Sequence, residues 1–291
     1  MKFAINLPIV AEFADPRLLV RMGQEAEAAG WDGVFTWDTL LLDEVWRPPV
    51  VDPWVVLSGI AATTRRVRIG TMIAHLARRD PPKVAREVAT LDILSEGRMT
   101  LGVGLGYNAS ADFKALGHNP NDRDRANRLD ECLEIITGLW SGEPFSYSGS
   151  YYHIADTTFT PTPVQRPRVP IWTAGYWPNK RPFRVRGSRW DGICPAEVER
   201  QAGAAEGDFR IVATSPARVA EIRAYVMRYR TVATPLDVVI SRGLHERTDD
   251  VVGLVEAYAA AGVTWLLRDM LPWEVSVEEG WRIIRRGPPR V

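Results

Sequence analysis

Cysteine, histidine and lysine are all scarce in this 291-residue chain, and each scarcity excludes a chemistry. Two cysteines, Cys132 and Cys194, cannot build a disulfide framework, so a reducing, cytoplasmic setting is expected. The four histidines (75, 118, 153 and 245) never recur at i+2, i+3 or i+4, and no His-x-His ends the first strand. That pattern argues against a metal-dependent hydrolase, and no metal site is expected. Only four of the 36 basic residues are lysines, at 2, 83, 114 and 180, and none falls where a strand-end Schiff base would need it. A Gly-x-Ser-x-Gly elbow and a Walker loop are missing too. No apolar run is long enough to span a bilayer, and Met1-Lys2-Phe3 leads directly into a strand, leaving no room for a signal peptide. Acidic and basic residues balance at 36 each, with a pI near 6.9, which argues against nucleic acid or an anionic membrane as the main partner.

What the chain does have is apolar content, 46%, enough for one large core, and a strand-then-helix unit that recurs throughout. Strands are predicted at 2–7, 33–37, 67–73, 99–103, 169–173, 191–194, 236–240 and 264–267. Helices open at Asp15-Pro16, Asp52-Pro53 and Asp80-Pro81-Pro82, where an acid caps and a proline takes the first turn. Later ones run from about Asp124 to Trp140, from Ser215-Pro216, over 251–261, and from the capping box Ser276-x-x-Glu279. Residues 143–154 read as an added hairpin, and the polar 195–214 segment as an excursion over one end, expected to be mobile. Eight alternations without a linker predict a single closed (βα)8 TIM barrel over 1–291, with a doubly wound open sheet as the rival.

In such a barrel the site lies at the C-terminal ends of the strands. The residues placed there include Asn6, Asp38, Thr71 to His75, Gly104 to Asn108, Thr173 to Trp177, Ser241-Arg242 and Arg268-Asp269. Asp38 either holds a polar cofactor edge or acts as a base, and a loop cap fits its spacing as well. His75 is a candidate proton donor or a solvated loop residue. Tyr107 is placed to stack on a ring, to donate a proton, or simply to pack. Gly102, Gly104 and Gly106 either admit a flat ring or relieve barrel crowding. Ala174-Gly175, followed by Tyr176, Trp177 and the cations Lys180 and Arg181, is a candidate phosphate cradle at a helix start, or a plain β-to-α loop. The aromatic rim, with Trp37, Trp46, Tyr107, Tyr176 and Trp177, points to a mainly apolar substrate.

One stretch is the most specific: residues 85–98, AREVATLDILSEGR, running into Leu101-Gly102-Val103-Gly104-Leu105-Gly106. Together with residues 25–38, EAEAAGWDGVFTWD, with Val67-Arg68-Ile69-Gly70-Thr71 and with Trp190-Asp191-Gly192, it resembles the bacterial-luciferase-like oxidoreductases. These are (βα)8 barrels using reduced flavin mononucleotide (FMN) or the deazaflavin coenzyme F420. The resemblance implies a non-prolyl cis peptide at Met72-Ile73 behind the cofactor ring. It further implies that Asp38, Thr71, Met72, Ile73, Gly104, Gly106 and Tyr107 line the ring, and that Ala174, Gly175, Tyr176 and Trp177 hold the phosphate. A monooxygenase using reduced FMN and oxygen, fed by a separate flavin reductase, is the activity expected, with F420-dependent hydride transfer as the alternative. A flavin-binding barrel without turnover is the third possibility. The family also implies a homodimer. Thr39 stands where many members carry a histidine, and Tyr107 where the deazaflavin sugar-phosphate dehydrogenases carry a glutamate, which argues against that particular dehydrogenase activity.

Overall fold

A ring of eight parallel strands forms because each apolar strand finds a parallel neighbour on both edges. In the computed structural model, which describes residues 1–43, 45–106, 109–199, 210–244 and 251–290, these strands are β1 (Lys2–Leu7), β2 (Gly33–Thr36), β3 (Arg68–His75) and β4 (Met99–Gly104). They continue, after the antiparallel hairpin β5 (Phe145–Ser148) and β6 (His153–Thr157), with β7 (Ile171–Trp177), β8 (Gly192–Glu199), β10 (Asp237–Ile240) and β11 (Trp265–Asp269). The order is β10-β11-β1-β2-β3-β4-β7-β8, and pairing of β8 with β10 closes the barrel and excludes the open sheet. A short strand β9 (Arg210–Val212) lies antiparallel to the end of β8.

The helices begin where the local chemistry predicts. Asp15, Asp52, Asp80 and Ser276 each accept a backbone N–H with the side chain, opening α1 (Pro16–Ala28), α2 (Pro53–Thr63), α3 (Pro81–Leu94) and, at the C-terminal end, a helix over Val277–Arg286. A short helix, α4 (Ala109–Asp112), precedes the long α5 (Asp122–Leu139). Among the described residues no helix is long and apolar enough to cross a membrane.

Two expectations are corrected. The 191–194 strand continues to Glu199, and the 195–214 segment is not simply an excursion. Its ends pair as β8 and β9, while residues 200–209 lie outside the described ones. Likewise β7 does not stop at Thr173, because Ala174 to Trp177 stay in register with Cys194 to Glu197.

The barrel interior decides which end is open. Phe35, Trp172 and Trp265 pack as a cluster, with ring centroids 5.3 to 6.0 Å apart, and Lys2 Nζ lies 5.1 Å over the Trp265 ring. These bulky side chains plug the N-terminal end of the barrel. Only the C-terminal end is left for a ligand. There β3 bulges: its register against β4 shifts between Thr71 and Ala74, around a cis Met72-Ile73 peptide. Glycines make room for this. A Cβ on Gly102 would overlap the carbonyl of Thr71, and one on Gly104 would overlap the Ile73 side chain.

Candidate active site

A cavity of about 630 Å³ opens at the C-terminal end of the barrel, over the bulge. Met72 and Ile73 form its apolar floor, and Trp37, Leu42, Tyr176, Leu271 and Trp273 contribute walls. Trp37 and Trp273 pack together with centroids 5.9 Å apart.

One polar wall is a buried ionic network. Asp38 lies two residues past the end of β2 and is buried; its Oδ1 accepts from Arg79 Nη2 at 2.7 Å and Arg78 Nη2 at 3.1 Å. Oδ2 accepts from Arg79 Nε at 3.0 Å and from the His75 backbone N–H at 3.2 Å. Burial pushes the Asp38 carboxyl up, but the guanidiniums of Arg78 and Arg79 outweigh it and hold the group below its usual range. A carboxylate so thoroughly paired is a poor base, which corrects the reading of Asp38 as a proton acceptor. It organises Arg78, Arg79 and the start of the His75 turn instead.

Asp112 is the second acid, and nothing in the sequence marked it. It accepts from the backbone N–H groups of Leu40 (2.7 Å) and Leu41 (3.1 Å), from Thr39 Oγ1 (3.2 Å) and from Arg78 Nε (3.0 Å). His75 Nδ1 lies 2.7 Å from Asp112 Oδ2. Burial raises the Asp112 carboxyl, while the His75 hydrogen bond and the Arg78 charge carry it far below its usual range. Because Asp112 is thus an acceptor only, Nδ1 of His75 carries the proton. Nε2 is left as the ring nitrogen without a partner among the described residues, on a side chain that lines the cavity. Phe113 stacks on the imidazole at 6.2 Å, and Gly106, at φ +89°, sits where a Cβ would come within 3.0 Å of the ring. Ring orientation is therefore fixed from three sides. Thr39 belongs to this network as a donor to Asp112.

The two depressed carboxyls have a consequence for acid stability. Between the folded and unfolded values the unfolded chain binds the extra proton, so stability is full above the ordinary value of 3.8 and falls as pH drops towards the folded values. Urea midpoints measured as a function of pH should be flat above about pH 5 and then decline, each group contributing about 1.4 kcal/mol per pH unit. Substituting Asp112 by asparagine should make that decline shallower.

Of the other residues read from sequence, Met72, Ile73 and Tyr176 line the cavity. Thr71 lies behind the wall, fully buried, with Oγ1 donating to the Gly102 carbonyl at 2.8 Å. Gly104 and Gly106 serve the wall by admitting Ile73 and His75. Tyr107 lies outside the described residues. The reading of Ala174-Gly175 as a turn at a helix start is corrected: β7 runs through both to Trp177, and helical turns begin at Lys180, after Pro178 and Asn179. Trp177 is buried against Phe183 and Tyr225 and does not reach the cavity, and Trp46 is an exposed surface residue. Arg181 binds Asn127 at 2.7 Å, and Lys180 lies over Tyr225. What survives is an edge. Beyond Thr173, β7 has β8 on one side and, among the described residues, no strand partner on the side facing β4.

Opposite the dyad, strand ends of β1, β10 and β11 form a second polar wall of Asn6, Ser241, Arg242 and Asp269. The Asp269 carboxylate accepts from Asn6 Nδ2, from Ser241 Oγ at 2.6 Å and from the Arg242 backbone N–H.

The sequence and the fold are similar to those of known proteins. The chain is 36% identical over 200 residues to an F420-dependent glucose-6-phosphate dehydrogenase of Beutenbergia cavernae, covering 66% of this chain and 56% of that protein. It is 28% identical over 190 residues to the oxygenase component of a flavin-dependent trigonelline monooxygenase of Acinetobacter baylyi, covering 64% and 51%. The chain thus spans about half the length of the curated relatives it matches. Its fold matches that of an F420-dependent secondary alcohol dehydrogenase solved with an F420-acetone adduct, at TM-score 0.73 and 16% identity over 99% of this chain and 98% of that one. It matches monooxygenase RslO1 from Streptomyces bottropensis at TM-score 0.71 and 18% identity, covering 98% and 97%. With the model of the luciferase-like monooxygenases matching residues 1–234, the chain belongs to that family.

Proposed function

We propose that this protein is an oxidoreductase that moves a hydride between a deazaflavin of the F420 type and a small organic alcohol or carbonyl compound, with His75 handling the accompanying proton. What carries this reading is the His75–Asp112 pair, 2.7 Å apart and aimed at a cavity with an apolar floor. A bound deazaflavin supplies the hydride acceptor or donor. The cavity suits such a ring: Met72 and Ile73 offer a flat apolar rest, and the edge of β7 beyond Thr173 leaves backbone groups for a polar tail. The chain's own residues then do the rest. Asp112 holds Nδ1 protonated, so Nε2 takes the proton from a substrate hydroxyl as its carbon gives up hydride, and returns it in the reverse direction. Asp38, Arg78 and Arg79 keep the histidine turn rigid and charge-balanced.

One relative and one structural neighbour are named as F420-dependent dehydrogenases, which supports the hydride-transfer reading. Glucose 6-phosphate itself is a poor candidate substrate, because Thr39 and Tyr107 depart from the residues of the sugar-phosphate enzymes. A monooxygenase using reduced FMN, oxygen and a separate reductase is the second reading. The apolar lining by Leu42, Leu271 and Trp273 and the trigonelline monooxygenase relative favour it.

Titration of the purified protein with F420, oxidised FMN and reduced FMN, following fluorescence of the cavity tryptophans, separates the two. The proposal expects F420 to bind at least tenfold more tightly than either FMN form. Tighter binding of reduced FMN with consumption of oxygen would replace it by the monooxygenase, and saturation by none of the three would overturn both.

A further inference from the structure

Resting on the reading of this cavity as the substrate site, we infer that Arg242 is its anion anchor and that the substrate is an organic acid. Arg242 is the sole guanidinium among the described residues lining the cavity. Arg78 and Arg79, beside the cavity, are spent on Asp38 and Asp112. Arg242 is not. Its Nη1 donates to the Ile211 carbonyl at 2.7 Å, which fixes the guanidinium against β9, and none of its other N–H groups has a partner among the described residues. No carboxylate oxygen of those residues lies within 4.0 Å of it.

The backbone is built around that placement. Arg242 takes φ +60°, a left-handed conformation rare for a long side chain, and its N–H reaches Asp269 Oδ2. The two oxygens of Asp269 already accept from Asn6, Ser241 and the Arg242 backbone, so this acid holds the corner in shape and leaves the guanidinium available. Glu274, the remaining acid of the cavity, is solvent-exposed at its rim, where water screens it.

Asn6 points to a ligand at the same corner. The residue is 2% exposed, and its Oδ1 is buried with no hydrogen-bond partner among the described residues. The amide cannot turn to hide it, because turning would set Oδ1 against the Asp269 carboxylate that Nδ2 now binds. An anion-bearing molecule with a neighbouring O–H or N–H matches the pair: the guanidinium takes the carboxylate or phosphate, and Asn6 Oδ1 accepts the donor. The far end of such a molecule would lie towards His75 and the bulge.

The anion could come from the substrate or from the phosphate of a cofactor, and two sets of titrations separate them. Benzoate and its neutral analogue benzamide serve as probes, read by fluorescence quenching of the cavity tryptophans in wild type, Arg242→Gln and Arg242→Lys. Benzoate affinity is expected to fall about 10- to 100-fold in Arg242→Gln and to recover in part in Arg242→Lys, with benzamide changed less than threefold. FMN and riboflavin, titrated alongside, should bind the Arg242→Gln variant as they bind wild type, which also shows that it is folded. Benzoate binding that is absent in wild type, or unaffected by Arg242→Gln, would overturn the anchor. Loss of FMN binding with riboflavin retained would assign Arg242 to the cofactor phosphate and overturn the organic-acid substrate. Should neither flavin nor F420 bind wild type while benzoate still depends on Arg242, the anion site would stand and the redox reading alone would fall.

Discussion

Replacing Asp112 by asparagine is expected to lower turnover by about 10²- to 10⁴-fold while changing cofactor affinity less than about threefold. An asparagine keeps the size of the side chain, and its oxygen can still accept from the Leu40 and Leu41 backbone. It removes the anion that keeps the proton on His75 Nδ1 at 2.7 Å. An amide N–H facing Nδ1 would then favour the opposite tautomer, with Nε2 protonated and unable to accept. Loss of Arg78's partner adds a stability cost, so turnover is compared at a temperature where circular dichroism shows the variant folded. His75→Asn should produce a loss of the same order. The double variant should be little worse than either single one, because the two residues act as a unit. Independent, additive losses would contradict the dyad.

Asp38→Ala is expected to be the most destabilising single change at the site, by about 3–5 kcal/mol. The reason is the company Asp38 keeps. Removing its carboxylate takes from Arg79 its carboxylate partner among the described residues and from Arg78 one of two, with both guanidiniums largely withdrawn from water. In a chain of this size such a loss lowers the thermal midpoint by roughly 10 °C. Thermal and urea unfolding would check this, and a change below about 1 kcal/mol would mean that the network relaxes into solvent. Asp38 therefore affects activity mainly through the position of the His75 turn, and Asp38→Asn should lose less than Asp38→Ala on both counts.

The barrel was legible because its signals are local. Asp15-Pro16, Asp52-Pro53, Asp80-Pro81 and Ser276 each declare a helix start within three residues, and the apolar runs between them have nowhere to go but into parallel strands. The Met72-Ile73 bulge was legible through family resemblance. Composition alone does not encode it, although Gly102 and Gly104 mark the space it needs. Asp112 was not legible: it lies between β4 and α5 at no helical or strand spacing, and its partners His75 and Arg78 are 37 and 34 residues away. Only the folded chain brings them together. The true course of β7 was hidden for a similar reason. Ala174-Gly175 reads as a turn until β8 is known to extend beside it. Trp177 reads as a rim aromatic, yet the extra strand length turns it away from the cavity and into the helices.

The central claim is that the cofactor ring rests on the Met72–Ile73 bulge, beside His75. The F420 and FMN titration repeated on Ile73→Glu tests it most directly, because that side chain lines the cavity floor and a carboxylate there would face an apolar ring. Saturable one-to-one binding to wild type and at least a tenfold loss of affinity in the variant are expected, with the circular dichroism spectrum unchanged. Equal affinity in the two proteins would contradict it and would place the cofactor elsewhere.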